Sequence, residues 1–330
     1  MKNLCAVSKR WSPAVFALVV LVNGLTARAA GSPSPQPPNP AWSRVAELGV
    51  SRLFPGVEVV DGRIIIFGGF TRIAQSHRLL AEIETFDPAS RVVSRKADMP
   101  SPRGFFGSAV VDGRIYVIGG YDSSGPSARV EVYDPATETW TSRASLNVAR
   151  GGLRAAHVGG KIYAFGGFLE SATIIEVYDT TTDSWTRLED MRQPILNPSV
   201  AVHDDLIYVV GGGIPDGTKA AGFVEVLDPR TATWRSLTTM PVPKGDHIVG
   251  IHQGRLFVVG GWNDVIVKTI EVYDLAGNTW STRPDLDDLR FYHGGAVIDG
   301  RFYIIAGARG DTAVASEYTN TIDVYDPLLD

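Results

Sequence analysis

An all-β fold built from six copies of one four-strand unit is predicted by three observations. An apolar run ending in diglycine recurs as "RIIIFGG", "RIYVIGG", "KIYAFGG", "LIYVVGG" and "RLFVVGG", with "RFYIIAG" as a sixth copy. The first positions of these pairs are residues 68, 119, 166, 211, 260 and 306, so the period is 45 to 51 residues. No segment of the repeats carries a convincing 3.6-residue period.

Each copy reads as four short strands, called a to d from the axis outward. Strand a precedes a tight turn such as Asp112-Gly113, Gly159-Gly160 or Asp299-Gly300, the residue types that favour a two-residue hairpin. Strand b ends in the diglycine. Strand c is "VEVYD" or a close variant. Strand d carries a residue six positions past the aspartate: Val93, Trp140, Trp185, Trp234 and Trp280 follow residues 87, 134, 179, 228 and 274. The sixth aspartate, Asp326, has only four residues after it. An unmatched stretch at the other end, "AWSRVAELGVSRLFPG", aligns with "TWTSRASLNVARGG" of the second copy. Trp42 therefore supplies the sixth tryptophan. The N-terminal strand is predicted to be strand d of the last unit, closing the ring and covering its edge. Val93 and Ala306 are the two departures from the repeat.

A diglycine after an apolar strand, then Glu-Val-Tyr-Asp, then Trp at a period near fifty, resembles the kelch repeat over residues 42–330. The resemblance implies a six-bladed kelch β-propeller, one four-stranded blade per repeat around a central axis. The repeated glycines permit close backbone approach, and the tryptophans supply apolar surface between blades.

Residues 1–29 are predicted to be a signal peptide. Lys2, Lys9 and Arg10 precede the apolar "WSPAVFALVVLVNGL", and Ala27 and Ala29 supply small residues at the cleavage site. Residues 30–41, with "GSPSPQPPNP", read as a proline-rich linker. Cleavage after Ala29 leaves 27 cations against 36 acids, a net charge of −9, which argues against nucleic acid as a partner. It also removes Cys5, the only cysteine, and with it any disulfide or thiolate ligand. A secreted or periplasmic monomer without a membrane span, cofactor or metal is expected.

Function is sought on the face bearing the b–c loops and the d–a connections, where the variable segments lie. Sixteen residues before each diglycine come Arg52, Arg103, Arg150, Ile195, Lys244 and Arg290. Five cations near the axis of an acidic protein read as a funnel for a carboxylate- or sulfate-bearing ligand. The same residues could instead pair with nearby carboxylates or cap carbonyls. Three positions further on lie Phe106, His247 and His293, with Tyr292 beside the last; a histidine pair is acid–base machinery where it titrates near neutrality. The longest b–c loops belong to the first and last units, and from them Arg72, His77, Arg78 and Arg309 could reach over the rim. His157, His203 and His252 fall near the a–b turns of the opposite face.

Two functions follow. One is a ligand-binding or protein-interaction module that recognises an anionic small molecule, glycan or protein segment through Arg52, Arg72, Arg103, Arg150, Lys244, His247, Arg290, Tyr292, His293 and Arg309. The other is an enzyme. The signal sequence, six blades and cationic funnel are similar to N-acetylneuraminate epimerases, which implies a sugar-acid mutarotase with His293 as the candidate catalytic residue. Tyr292-His293 also resembles the Tyr-His pair of the galactose oxidase family, but that family's cofactor needs a cysteine that the mature chain lacks.

Overall fold

The computed structural model describes residues 40–73, 76–214, 220–263, 265–288, 290–309 and 317–329. The predicted signal peptide and nearly all of the linker lie outside the described residues. Among the described residues no helix is long and apolar enough to cross a membrane.

Alternating apolar runs separated by glycine turns give six antiparallel four-stranded sheets. From the inner to the outer strand, blade one is Gly56–Val60, Arg63–Phe67, Ile83–Asp87 and Val92–Lys96. Blade two is Gly107–Val111, Arg114–Ile118, Val130–Asp134 and Thr139–Arg143. Blade three is Arg154–Val158, Lys161–Phe165, Ile175–Asp179 and Ser184–Arg187. Blade four is Ser199–His203, Leu206–Gly213, Ala220–Asp228 and Thr233–Thr239. Blade five is Ile248–His252, Arg255–Val259, Ile270–Asp274 and Thr279–Arg283. Blade six is Gly294–Ile298, Arg301–Ile305, Thr321–Tyr325 and, as its outer strand, Trp42–Glu47. Each inner strand touches the next, and that of blade six returns to that of blade one.

The register explains the repeated residues. Trp42 lies opposite Tyr325, as Trp140 lies opposite Tyr133, Trp185 opposite Tyr178 and Trp280 opposite Tyr273. The four ring pairs have nearly the same centroid separation, 5.0 to 5.1 Å. Cross-strand aromatic pairs of this kind stabilise a sheet beyond simple burial. Val93 takes the same place opposite Phe86 and packs half-buried against the seam between blades six and one. The aspartate closing each third strand accepts backbone N–H bonds from the turn that follows, as Asp274 Oδ1 does from Ala276 and Gly277.

The core is divided. Six clusters of buried side chains each fill one seam between neighbouring blades. The diglycine lies where two chain segments cross. A Cβ on Gly261 would stand 2.5 Å from the carbonyl oxygen of Gly245, and one on Gly69 would meet Leu53 O at 2.4 Å. At the first position the obstruction comes from the following blade: a Cβ on Gly68 would meet the Phe106 ring at 2.7 Å. The residue corresponding to Phe106 after Ala306 is Pro55, which carries no ring, and Ala306 holds φ 58° there.

Closure rests on one strand. Asp326 N donates to Ala41 O at 2.9 Å, Leu48 N donates to Asn320 O at 2.7 Å, and Ala41 and Leu48 are buried. A variant lacking residues up to Glu47 should expose the edge of Thr321–Tyr325 and part of two seams. It is expected to aggregate, whereas a variant lacking only residues 30–38 should melt like the parent protein. Equal melting of both by circular dichroism would contradict the closure.

Candidate functional site

The five ring cations are inside the blades. Arg52, Arg103, Arg150, Lys244 and Arg290 are at most 2% exposed. Each pairs with the acidic residue of its own third strand: Arg52 with Glu84, Arg103 with Glu131 at 2.6 Å, Arg150 with Glu176, Lys244 with Glu271, and Arg290 with Asp323 at 2.5 Å. The arginines of the first three blades also donate to the carbonyl of the first glycine, as Arg103 does to Gly119 O and Arg150 to Gly166 O, both at 3.0 Å. Burial lowers the pKa of Arg52, Arg103, Arg150 and Lys244, and the paired carboxylates oppose that shift. Expected to be a funnel of available cations, the ring is instead a set of buried ion pairs. Sequence spacing located these residues; it could not show that the carboxylate waiting for each was the acid of its own third strand, a glutamate in four blades and Asp323 in the sixth.

Arg290 and Arg309 have a further setting. Both line a cavity of about 320 Å³ that also holds Arg44, Asp287, Asp288 and Asp323. Its three cations face three acids, and both Arg290 and Arg309 pair with Asp288, so no excess charge is offered to an anion. The long loops of blades one and six do meet, as their adjacency after closure predicts. His77 Nε2 and Tyr318 Oη are 2.7 Å apart, on the same hairpin system as Arg72.

The histidine pair occupies seams rather than open solvent. His247 and His293 are 6% and 9% exposed, and no ring nitrogen of either has a hydrogen-bond partner among the described residues. A Cβ on Gly211 would meet His247 Cε1 at 2.8 Å, and one on Gly260 would meet His293 Nε2 at 3.3 Å. These are the places that Phe106 and Leu153 fill against Gly68 and Gly119. Burial, together with Lys244 and the other histidine for His247 and with Arg290 for His293, pushes both imidazoles down to about 3. The expectation of an imidazole titrating near neutrality therefore fails at His293, and a base of that strength is a poor acceptor for a substrate proton.

What surrounds the axis is a second ring, two positions past the first. Phe54, Phe105, Gly152, Asn197, Asp246 and Tyr292 all have φ between 45° and 76°. In every blade the chain makes the same left-handed turn before it enters the inner strand. The turn is constant and the side chain is not. Phe54 packs against both Phe105 and Tyr292 with ring centroids 4.2 Å apart and the rings tilted, forming an aromatic arc across blades six, one and two. At Gly152 the arc is continued from the b–c connection by Phe168, 5.1 Å from Phe105. Across the mouth the residues are polar: Asn197 Nδ2 donates to Asp246 Oδ1 at 3.4 Å.

Below this mouth runs a central cavity of about 380 Å³, lined by all six inner strands. Arg154 lines it, and its guanidinium donates to Leu153 O at 3.2 Å. Burial pushes the Asp246 carboxyl up to about 6, with Arg154 and Asn197 opposing. Glu58 lines the cavity from blade one and accepts a 2.6 Å bond from Ser108. Of the residues at the mouth, only Tyr292 was singled out from sequence. The signal for the others was positional, the second residue after each ring position, and it was obscured because six different environments use five residue types.

The buried imidazoles make the fold acid-sensitive. Their folded pKa values lie below the unfolded value near 6.5, so the unfolded chain takes up protons first as pH falls. Their contribution to stability is complete above about pH 6.5 and is lost toward pH 3, at about 1.4 kcal/mol per pH unit for each histidine. Replacing His247→Phe and His293→Leu together, as the neighbouring seams are built, should remove about 2.7 kcal/mol per unit from that slope in urea unfolding. An unchanged slope would contradict the neutral buried pair.

A family model described as the KLHDC2/KLHL20/DRC7 Kelch-repeats domain matches residues 55–212 and 145–307. Among curated relatives, the F-box/kelch-repeat protein At1g67480 of Arabidopsis thaliana is 37% identical over 156 residues, 47% of this chain and 30% of that one. Beta-scruin of Limulus polyphemus is 26% identical over 174 residues, 52% of this chain and 14% of that protein. Kelch-like protein 38 of Rattus norvegicus is 27% identical over 161 residues, 47% of this chain and 26% of that protein. The matched segments span less than a third of each of these relatives. With the family model covering most of the blades, the chain belongs to the kelch-repeat family.

Proposed function

We propose that this protein is a protein-interaction module that receives a partner segment at the aromatic mouth of its central channel. The observation that carries this reading is the turn ring. Six constant backbone turns set six variable residues around one opening, and three consecutive ones form an aromatic arc in which Phe54 and Tyr292 are partly exposed and Phe105 is buried. A rigid frame with varied display residues suits recognition. Aromatic side chains provide large contact area at small entropic cost, which is why they are enriched at binding hot spots. The same face carries the b–c hairpins Phe70–Ile73 with Ser76–Leu79 and Trp262–Asn263 with Val265–Ile266, which wall the opening. The anionic ligand expected from sequence loses its basis, because the cations that were to bind it are paired within the blades.

The test is selection from a displayed peptide library, followed by affinity measurements on two variants. Asn tolerates the left-handed turn, so Phe54→Asn and Tyr292→Asn remove the rings and leave the backbone in place. Each should weaken the selected peptides at least about tenfold, a loss typical of an aromatic anchor. Val92→Asn, on the exposed outer strand of blade one, should change nothing. Peptides that bind both ring variants as tightly as the parent protein would place recognition elsewhere.

A further inference from the structure

The channel holds a carboxylate without a counter-charge. Glu58 is six residues past Arg52, and the same position in the other blades is Ala109, Ala156, Ala201, Gly250 and Ala296. Five inner strands use a small residue there and one uses an acid. Ser108 Oγ donates to one carboxyl oxygen of Glu58. No cation lies within ion-pair distance of Glu58 among the described residues. The charged and titratable groups around the same cavity do not fill the gap. Arg154 is drawn to Asp246 at the rim, His247 and His293 are neutral in their seams, and burial likewise lowers the pKa of His157. Glu58 is half-buried and faces the cavity, so its carboxylate is poorly hydrated yet open to a cation that enters the channel.

The walls above Glu58 decide which cation. Phe54, Phe105 and Phe106 line the same cavity. Aromatic faces attract a poorly hydrated organic cation. A metal ion of the oxygen-binding kind needs several oxygen ligands, and one carboxylate with one hydroxyl does not provide them. We propose that the central channel binds an organic ammonium group, which passes the Phe54–Phe105 collar and places its charge against the Glu58 carboxylate. The cavity, at about 380 Å³, has room for an alkyl chain behind the charge. Two sources share this chemistry: a free alkylammonium compound, or a lysine side chain of the segment that docks at the mouth. The lysine source rests on the module reading above; the channel site does not.

Burial pushes the Glu58 carboxyl up to about 7, with the Ser108 bond opposing. A proton and an ammonium group therefore compete for one carboxylate in the neutral range. Affinity should rise with pH through 7 and fall about tenfold for each unit below it.

The experiment is titration calorimetry with butylammonium chloride and, separately, sodium butyrate, on the full chain and on Glu58→Gln. The glutamine keeps the volume and an acceptor for Ser108. Because the raised carboxyl costs stability as pH rises toward 7, this variant should melt at or above the parent temperature at pH 8, which secures the fold. Saturable butylammonium binding at pH 8, weakened at least tenfold in Glu58→Gln and lost below pH 6, with no binding of butyrate, is the expected result. Equal binding by the variant, a preference for butyrate, or no saturable butylammonium binding would each overturn the site. If Glu58→Gln also weakens the peptides selected at the mouth, the ammonium group is a partner lysine. If those peptides are indifferent to it, the ligand is a free ammonium compound. Butylammonium binding without any selected peptide would remove the module reading and leave the channel site.

Discussion

The buried cation–carboxylate pair is the constraint on which the rest of this propeller depends. In blades one, two and three a single guanidinium joins three parts of one blade: the segment that approaches the inner strand, the carbonyl of the diglycine, and the glutamate of the third strand. These parts are far apart in sequence, as Arg103 and Glu131 show. A buried pair of this kind adds little net stability over apolar packing, because both charges must leave water. What the pair does in the structure is tie these three segments to one another. Blade four shows the alternative within the same molecule. Ile195 takes the arginine's place, fully buried among the side chains of the seam between blades three and four, and among the described residues the Glu225 carboxylate has a 3.5 Å contact from Ser236 in place of a cation. One blade of six can rely on packing alone while the neighbouring rings of strands hold its geometry.

Commitment of these cations inside the blades has a consequence for function. The channel takes its character from residues that the repeat leaves free to vary. The turn two positions later is fixed in backbone and open in side chain, so Phe54, Phe105 and Tyr292 give one half of the mouth an aromatic face, and Asn197 and Asp246 give the other a polar one. Deeper in, a position occupied by a small residue in five blades holds Glu58 in blade one. Scaffold and recognition are thus divided between adjacent positions of the same short segment.

That division also explains what could be read in the sequence. Features tied to a repeated residue type were legible. The diglycines gave the number of blades, and the unmatched Trp42 located the closing strand, because the last repeat lacked its own tryptophan, the residue that lies opposite Tyr325. The ring positions were legible as positions. Their direction was not, since spacing fixes where Arg52 or Lys244 stands along the chain and says nothing of whether the side chain points to the axis or into the blade. His247 and His293 were misread for the same reason: the seam geometry that makes them equivalents of Phe106 and Leu153 involves the glycine of the preceding blade. The mouth was hidden because its regularity lies in φ, not in residue type.

The central claim is that the ring of cations is architectural, and a double-mutant cycle on Arg103 and Glu131 tests it most directly. Urea unfolding would be measured for Arg103→Met, Glu131→Leu and the pair, with binding of a mouth-selected peptide followed in parallel. Each single change leaves one buried charge alone and is predicted to cost about 3–5 kcal/mol, and the double change to recover most of that loss. Peptide affinity should be unchanged in every variant that remains folded. Single variants of parental stability that have lost their peptide would contradict the account and return the ring to the binding site.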